Sequence, residues 1–379
     1  MRKVTGYWRA VIIITGLITF VLIAGFYPWI CDLFTDNVYG YIADGIARIT
    51  GPVPVTIGEI LMYVGILLTL LAMVLLLLLL FFHGKDGFRK GSVIYLKFYL
   101  LLFLLVALFY LATWYIPYRG TLLGEGDKVR RTAFARSDIY FLLEYIVAGG
   151  NEAAEEIIIK EDGSVDFPTA EEYQILIEEA MTGLAVEYPR LEGYYPPVKD
   201  AYCSDILERM GIGGYNYPLT MEPTHNRYIS PLYRPLLDAH ELAHHHGYYK
   251  ENEANFVSML ALSRSEDPFL RLSAFVEMYY YVLEDYYSSS IPEAERDDFE
   301  WGNEPEFSMR VDHIRSVARQ EELKIYEQDP HPIDNSPTLD ATIRAAGDEG
   351  WSVQGEIAGD YSYDGVVLLL LQYYDGILY

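Results

Sequence analysis

The sequence predicts a mainly α protein. Three N-terminal transmembrane helices (residues 1–117) are followed by a mostly helical globular domain with a small strand region (residues 118–379). Three observations predict this. Apolar runs at 8–30, 57–82 and 94–116 each hold about 20 apolar residues, enough to cross a bilayer core and too long and uncharged for buried soluble helices. The charge is divided: of a net −26, residues 1–117 account for +3 and the rest for −29. The acidic part carries capping signals and amphipathic periodicity, and the 34 tyrosines in the chain favour a packed, aromatic-rich domain over disorder.

The spans come with an orientation. Arg2, Lys3 and Arg9 flank the first run, and Lys85, Arg89 and Lys90 lie between the second and third. The segment between the first and second holds Arg48 against Asp32, Asp36 and Asp44. Basic residues stay on the cytoplasmic side, so the expectation is a multi-pass protein of the cell membrane. Its N-terminus is cytoplasmic and everything after Tyr118 is extracytoplasmic. Lys97, near the start of the third run, can snorkel to the interface. The first run lacks a clear small-x-small cleavage site, which favours an uncleaved anchor over a signal peptide. Cys31 and Cys203 form no ligand cluster, and Cys31 sits at the end of a membrane helix, which argues against a disulfide between them.

Beyond the spans the elements follow in order. Ser137-Asp138 opens a helix to about Val147, and Thr169-Ala170-Glu171-Glu172 is a capping-box pattern ahead of an amphipathic run to Tyr188. Residues 189–235 read as loop with short strand, and 217–222 as an edge strand of the kind that pairs with an extended peptide. Helices are expected at 233–246 and 250–263. Asp267-Pro268 supplies an N-cap and an N1 proline for a helix to about Tyr287, whose stripe of Phe275, Tyr279, Tyr280 and Tyr286 reads as core. Residues 288–303 read as a polar loop. Further helices are expected at 307–327, 339–346 and 363–374, the last a buried C-terminal helix.

The chemistry is carried by His240-Glu241-Leu242-Ala243-His244, an H-E-x-x-H motif. On a helix, residues four apart share a face, so both imidazoles can meet one zinc ion while Glu241 acts as a general base toward an activated water. A third ligand is needed. On an unbroken helix Glu251 would lie about 10 Å along the axis from His244. Gly247 can end the helix in a left-handed C′ conformation and let the next helix present Glu251. Asn255, four residues on, shares its face and can orient a ligand. Glu253 is the alternative third ligand. His245 and His246 point away from His240, to surface or supporting positions. His225, His313 and His331 are candidates for a transition-state donor. Lys250 carries an ammonium and cannot ligate.

The E-x-x-A-N spacing after H-E-x-x-H resembles the glutamate-zincin metallopeptidases. The chain looks most like a bacterial membrane-anchored family, domain of unknown function 3810. That family has three N-terminal membrane helices and an H-E-x-A-H-x-x-G-x-x-x-E-x-E-A-N-F box. The likeness extends over residues 188–193, Gly211-Ile212-Gly213-Gly214, Glu222, Asn226 and Ser230-Pro231-Leu232, and returns at 363–369. It implies a zincin-like globular domain in which His240, His244 and Glu251 bind Zn2+ and Glu241 is the base. It names no substrate.

The acidic domain repels phosphates and argues against nucleic acid as a partner. The expected partners are the lipid bilayer and a peptide or protein substrate. The expected function is a membrane-anchored zinc metallohydrolase, a peptidase acting outside the cytoplasm. The alternatives are a non-catalytic membrane receptor or regulatory protein with a structural zinc site, and a hydrolase of cell-wall amides.

Overall fold

A computed structural model describes residues 6–82, 84–124, 131, 134–287, 305–328 and 360–379. The expected loop at 288–303, the expected helix at 339–346 and His331 lie outside these residues. The chain forms two compact units, one of residues 1–121 with Tyr217–Glu222, the other of Leu122–Asn216 with Pro223–Tyr379. The first closes four residues beyond the expected boundary at 117 and takes in a distant segment as well.

In the first unit, three helices are long and apolar enough to cross a membrane: α1 (Gly6–Ala24), α4 (Ile57–Phe82) and α5 (Asp86–Tyr110). α5 runs on through a π-helical turn (Leu111–Tyr115) into α6 (Ile116–Tyr118). The second run matches its expectation. The first helix stops at Ala24 instead of Ile30, because Pro28 takes the first turn of a new helix, α2 (Pro28–Phe34). Proline cannot continue a helix whose interior needs its N–H. The third helix starts earlier than expected, at Asp86, whose carboxylate suits the positive end of the helix dipole and accepts from Arg89 Nη2 at 3.1 Å. Tyr95 Oη donates to Leu68 O at 2.7 Å and pins α5 to α4. The Lys97 ammonium lies 5.4 Å from the centre of the Tyr7 ring, which offers a cation–π contact. A second π-helical turn (Thr35–Tyr39) and α3 (Gly40–Thr50) follow α2.

The segment Tyr217–Glu222 packs within this first unit. The Glu222 carboxylate accepts from the backbone N–H of Ile57 (3.1 Å) and Gly58 (2.7 Å). It thereby satisfies two of the donors that the start of α4 leaves open. Thr50 Oγ1 donates to Thr220 O at 2.8 Å, and Thr113 Oγ1 to Pro218 O at 2.9 Å. These residues were expected to form a strand. Pro218 has no N–H for a ladder, and Met221 adopts φ 52°. The strands lie on either side, β2 (Gly214–Tyr217) and β3 (Glu222–His225), with β1 (Lys199–Asp200) parallel to β3 in the order β1-β3-β2.

The second unit is built from α7 (Arg136–Glu156), α8 (Ala170–Leu184), α9 (Ser204–Met210), α10 (Arg234–His245), α11 (Glu251–Ser263), α12 (Pro268–Tyr287), α13 (Met309–Gln328) and α14 (Asp360–Tyr374). α7 outlasts its expected end at Val147 because Phe275 and Phe307 pack over Gly149 and Gly150, and tertiary burial outweighs glycine's poor helix propensity. α8 begins with the expected capping box: Thr169 Oγ1 accepts from Glu172 N, and Glu172 Oε2 from Thr169 N. It ends at Leu184, short of Tyr188. α9 falls where only loop and strand were expected, two turns being too few to show a period. Asp267 Oδ1 caps α12 by accepting from Phe269 N (2.9 Å) and Leu270 N (3.0 Å). Of the aromatic stripe, Phe275 and Tyr286 are buried core, while Tyr280 is exposed and accepts from Arg315. α14 is buried as expected, with Val366, Val367 and Leu370 in the main core.

That core holds Leu236, Ala239, Leu242 and Ala243 of α10 together with Ala254, Phe256 and Val257 of α11. Burying a leucine such as Leu242 contributes about 2 kcal/mol. It also fixes the rotation of α10, and so decides where residues 240, 241 and 244 point.

Candidate metal centre

α10 and α11 meet through the bend between them. Gly247 stands at C′ with φ +88°, in the left-handed region that glycine accepts without strain. Its N–H bonds to His244 O at 3.0 Å, and Tyr248 N reaches back to Ala243 O at 3.0 Å. The last turn is closed this way. Two residues later Lys250 precedes α11, which begins at Glu251.

This bend brings His240, His244 and Glu251 together, with one ligand-type atom from each lying within 4.8 Å of the others. His240 Nε2 is 3.1 Å from Glu251 Oε2, and His244 Nε2 is 3.5 Å from Glu251 Oε1. Ligands of a tetrahedral zinc ion stand about 3.3 Å apart, so the spacing fits the ion. The far side of each ring is held. His240 Nδ1 contacts Asn255 Oδ1 at 2.7 Å, and Asn255 Nδ2 donates to Tyr281 Oη at 3.2 Å. His244 Nδ1 contacts Tyr248 O at 2.7 Å. Acceptors at both Nδ1 atoms leave both Nε2 lone pairs for a cation, the arrangement that orients metal-binding histidines. Zn2+ therefore suits this donor set.

The charges point the same way. Burial works against a charged His244, but Glu251 outweighs it and raises the imidazole to about 9. Burial alone would raise the Glu251 carboxyl, yet His244 and His240 hold it well below the usual carboxylate range. The Glu251 carboxylate favours positive charge beside it.

Glu241 is buried beside them, and burial pushes its carboxyl up to about 7, against the pull of His244 and His240. Its Oε2 has no hydrogen-bond partner among the described residues. Strand β2 passes directly over it. A Cβ at Gly214 would lie 2.8 Å from Glu241 Oε1 and 2.4 Å from Thr224 O, so only glycine lets the strand approach this closely. Gly214 and Tyr281 are site residues that motif spacing missed. The Gly213-Gly214 pair was the available signal for the first, and among so many tyrosines nothing singled out the second.

The other candidates stand elsewhere. Glu253 turns away from the histidines: its Oε1 accepts from Leu123 N at 2.8 Å and lies 3.7 Å from Lys250 Nζ. His245 and His246 are both buried, which corrects the surface placement. The interior accepts them because α10 is covered on both sides, with His246 Nδ1 3.0 Å from Arg190 O and its ring against Tyr195. His313 bonds to Gly163 O on an exposed face. His225 is fully buried with both nitrogens committed, Nδ1 to Asp238 Oδ1 (2.6 Å) and Nε2 to Asp200 Oδ1 (2.7 Å). It cannot donate to a substrate.

His225 instead ties β1, β3 and α10 together. Burial disfavours its charge, but Asp238 and Asp200 outweigh burial and raise it to about 9. A raised folded pKa stabilises the fold fully below the unfolded value near 6.5, and that contribution is lost as pH rises through about 9. Urea unfolding is therefore expected to lose stability between pH 7 and 10, and His225→Gln to remove part of that loss. An identical pH dependence in the variant would refute the ion-pair role.

The family described as "Protein of unknown function (DUF3810)" matches residues 34–305, a span that includes the whole H-E-x-x-H…E-x-x-A-N box. No curated protein and no solved structure matches the chain.

Proposed function

We propose that this chain, which belongs to the DUF3810 family, is a membrane-anchored zinc metallopeptidase whose second unit works outside the cytoplasm. The observation that carries this reading is the convergence of His240, His244 and Glu251, with both imidazole Nε2 atoms turned to one carboxylate, beside a buried Glu241 whose Oε2 is unpartnered. A bound zinc would supply Lewis-acid polarisation of the scissile carbonyl and activation of water. The chain's own residues do the rest. Asn255 and the Tyr248 carbonyl hold the two rings in one tautomer. Glu241, raised toward neutrality by its surroundings, can accept a proton and return it to the leaving amine. A purely structural site would need no such base. The orientation rests on the lysines and arginines that flank the spans.

Purified full-length protein in nanodiscs is expected to hold about one zinc per chain and to cleave members of a peptide library. Chelation should stop the cleavage and added zinc restore it. Intact cells producing the protein should cleave the same membrane-impermeant peptides. A zinc-free purified chain would sink the metal reading, a zinc-bound chain inert toward every peptide the peptidase reading, and cleavage only after lysis the orientation.

A further inference from the structure

The 32 residues between α1 and α4 are more than a connection. One side of this segment is packed: Cys31 and Ala24 cluster with Ile116, and Thr35, Tyr39, Ala43, Ala47 and Thr50 are buried at four- and three-residue spacing. Ala24 ends the first apolar helix and Ile116 lies near the far end of the third, so α2 packs against the ends of both. The opposite side exposes several large apolar side chains, with Asp36, Asn37 and Arg48 exposed alongside them. Trp29 (66% exposed) and Leu33 (59%) share one face of α2, and Tyr41 (83%) and Ile49 (75%) share one face of α3. Water is a poor neighbour for such a face.

We propose that α2, the π-helical turn and α3 form an interfacial helical pair that lies in the headgroup layer of the bilayer, with Trp29, Leu33, Tyr41 and Ile49 seated in lipid on the side where α1 ends. The occupant is lipid because both ends of the segment are tethered to helices long and apolar enough to cross a membrane, whose own exposed side chains are apolar. Tryptophan and tyrosine are the side chains that settle at this depth. The far end of the third helix carries the ring ladder Tyr110–Trp114–Tyr118, stacked at 5.3 Å between neighbouring centroids. Electrostatic attachment to anionic lipid is not the driving force: the segment holds Asp32, Asp36 and Asp44 against Arg48 alone. The attachment comes from apolar burial in the plane of the interface. It holds whether or not the second unit is a peptidase.

Nitroxide spin labels test this in the full chain in phosphatidylcholine nanodiscs. They are attached at Leu33→Cys, Tyr41→Cys and Ile49→Cys in a Cys203→Ser background. Cys31 is buried and stays unlabelled. Ile12→Cys serves as the bilayer reference and the exposed Ile158→Cys as the aqueous one. Collisions with oxygen are expected to exceed those with a water-soluble nickel chelate several-fold at all three sites, with ratios between the two references. Ratios equal to that of Ile158→Cys would mean that water covers the face. Suppression of both collision rates would mean that protein covers it. Either result overturns the proposal. The three positions are exposed, so a label at each costs no packing.

Discussion

Replacing Glu241 with glutamine is expected to lower turnover at least ~100-fold, the lower end of what a positioned general base contributes, while zinc content and fold persist. The exchange keeps the shape of the side chain and removes its capacity to take a proton. It also takes a carboxyl out of a site where burial already works against its charge, so stability should hold or rise. The informative comparison is with a deletion. A peptidase with Glu241→Gln should reproduce the deletion phenotype in cells. Full rescue by the variant would point to the receptor or regulatory alternative, in which metal holds a fold together and no proton moves.

Glu251→Gln is expected to weaken zinc binding by at least ~100-fold, more than the loss of a supporting contact, whereas Glu253→Gln should leave affinity within a few-fold of the parent. Glu251 faces both histidine Nε2 atoms, while the Glu253 carboxylate is engaged by Leu123 N and Lys250. A neutral amide at 251 offers only a weak oxygen donor and also deprives His244 of the charge that most raises its pKa. Competition against a chelator of known affinity reads both variants. The reverse ordering would move the third ligand to Glu253.

The sequence by itself determined the three apolar helices, the acidic helical unit beyond them, the two motif helices and the bend at Gly247. Each is written in signals a few residues apart: an apolar run as long as a bilayer is thick, a capping box at Thr169, an N-cap at Asp267, and histidines four apart on one helical face. Local spacing also paired Glu251 with Asn255. Only the tertiary structure decided the rest, because those choices depend on partners distant in the chain. Glu251 and Glu253 are both acidic residues in one helical turn, and the packing of α10 on α11 turned one toward the histidines and the other toward Leu123. His225 had the chemistry of a transition-state donor until Asp200 and Asp238, from two other elements, took both of its nitrogens. His245 and His246 are polar by composition and buried by the elements that cover α10. Residues 217–222 read as one strand, and residues 218–221 instead form a turn between β2 and β3, with Glu222 bound to the open N–H groups of α4 more than 160 residues earlier in the chain. Hydrophobic period and capping act along the helix; the direction of a buried polar side chain is set by whichever partner satisfies it, and that partner is supplied by the fold.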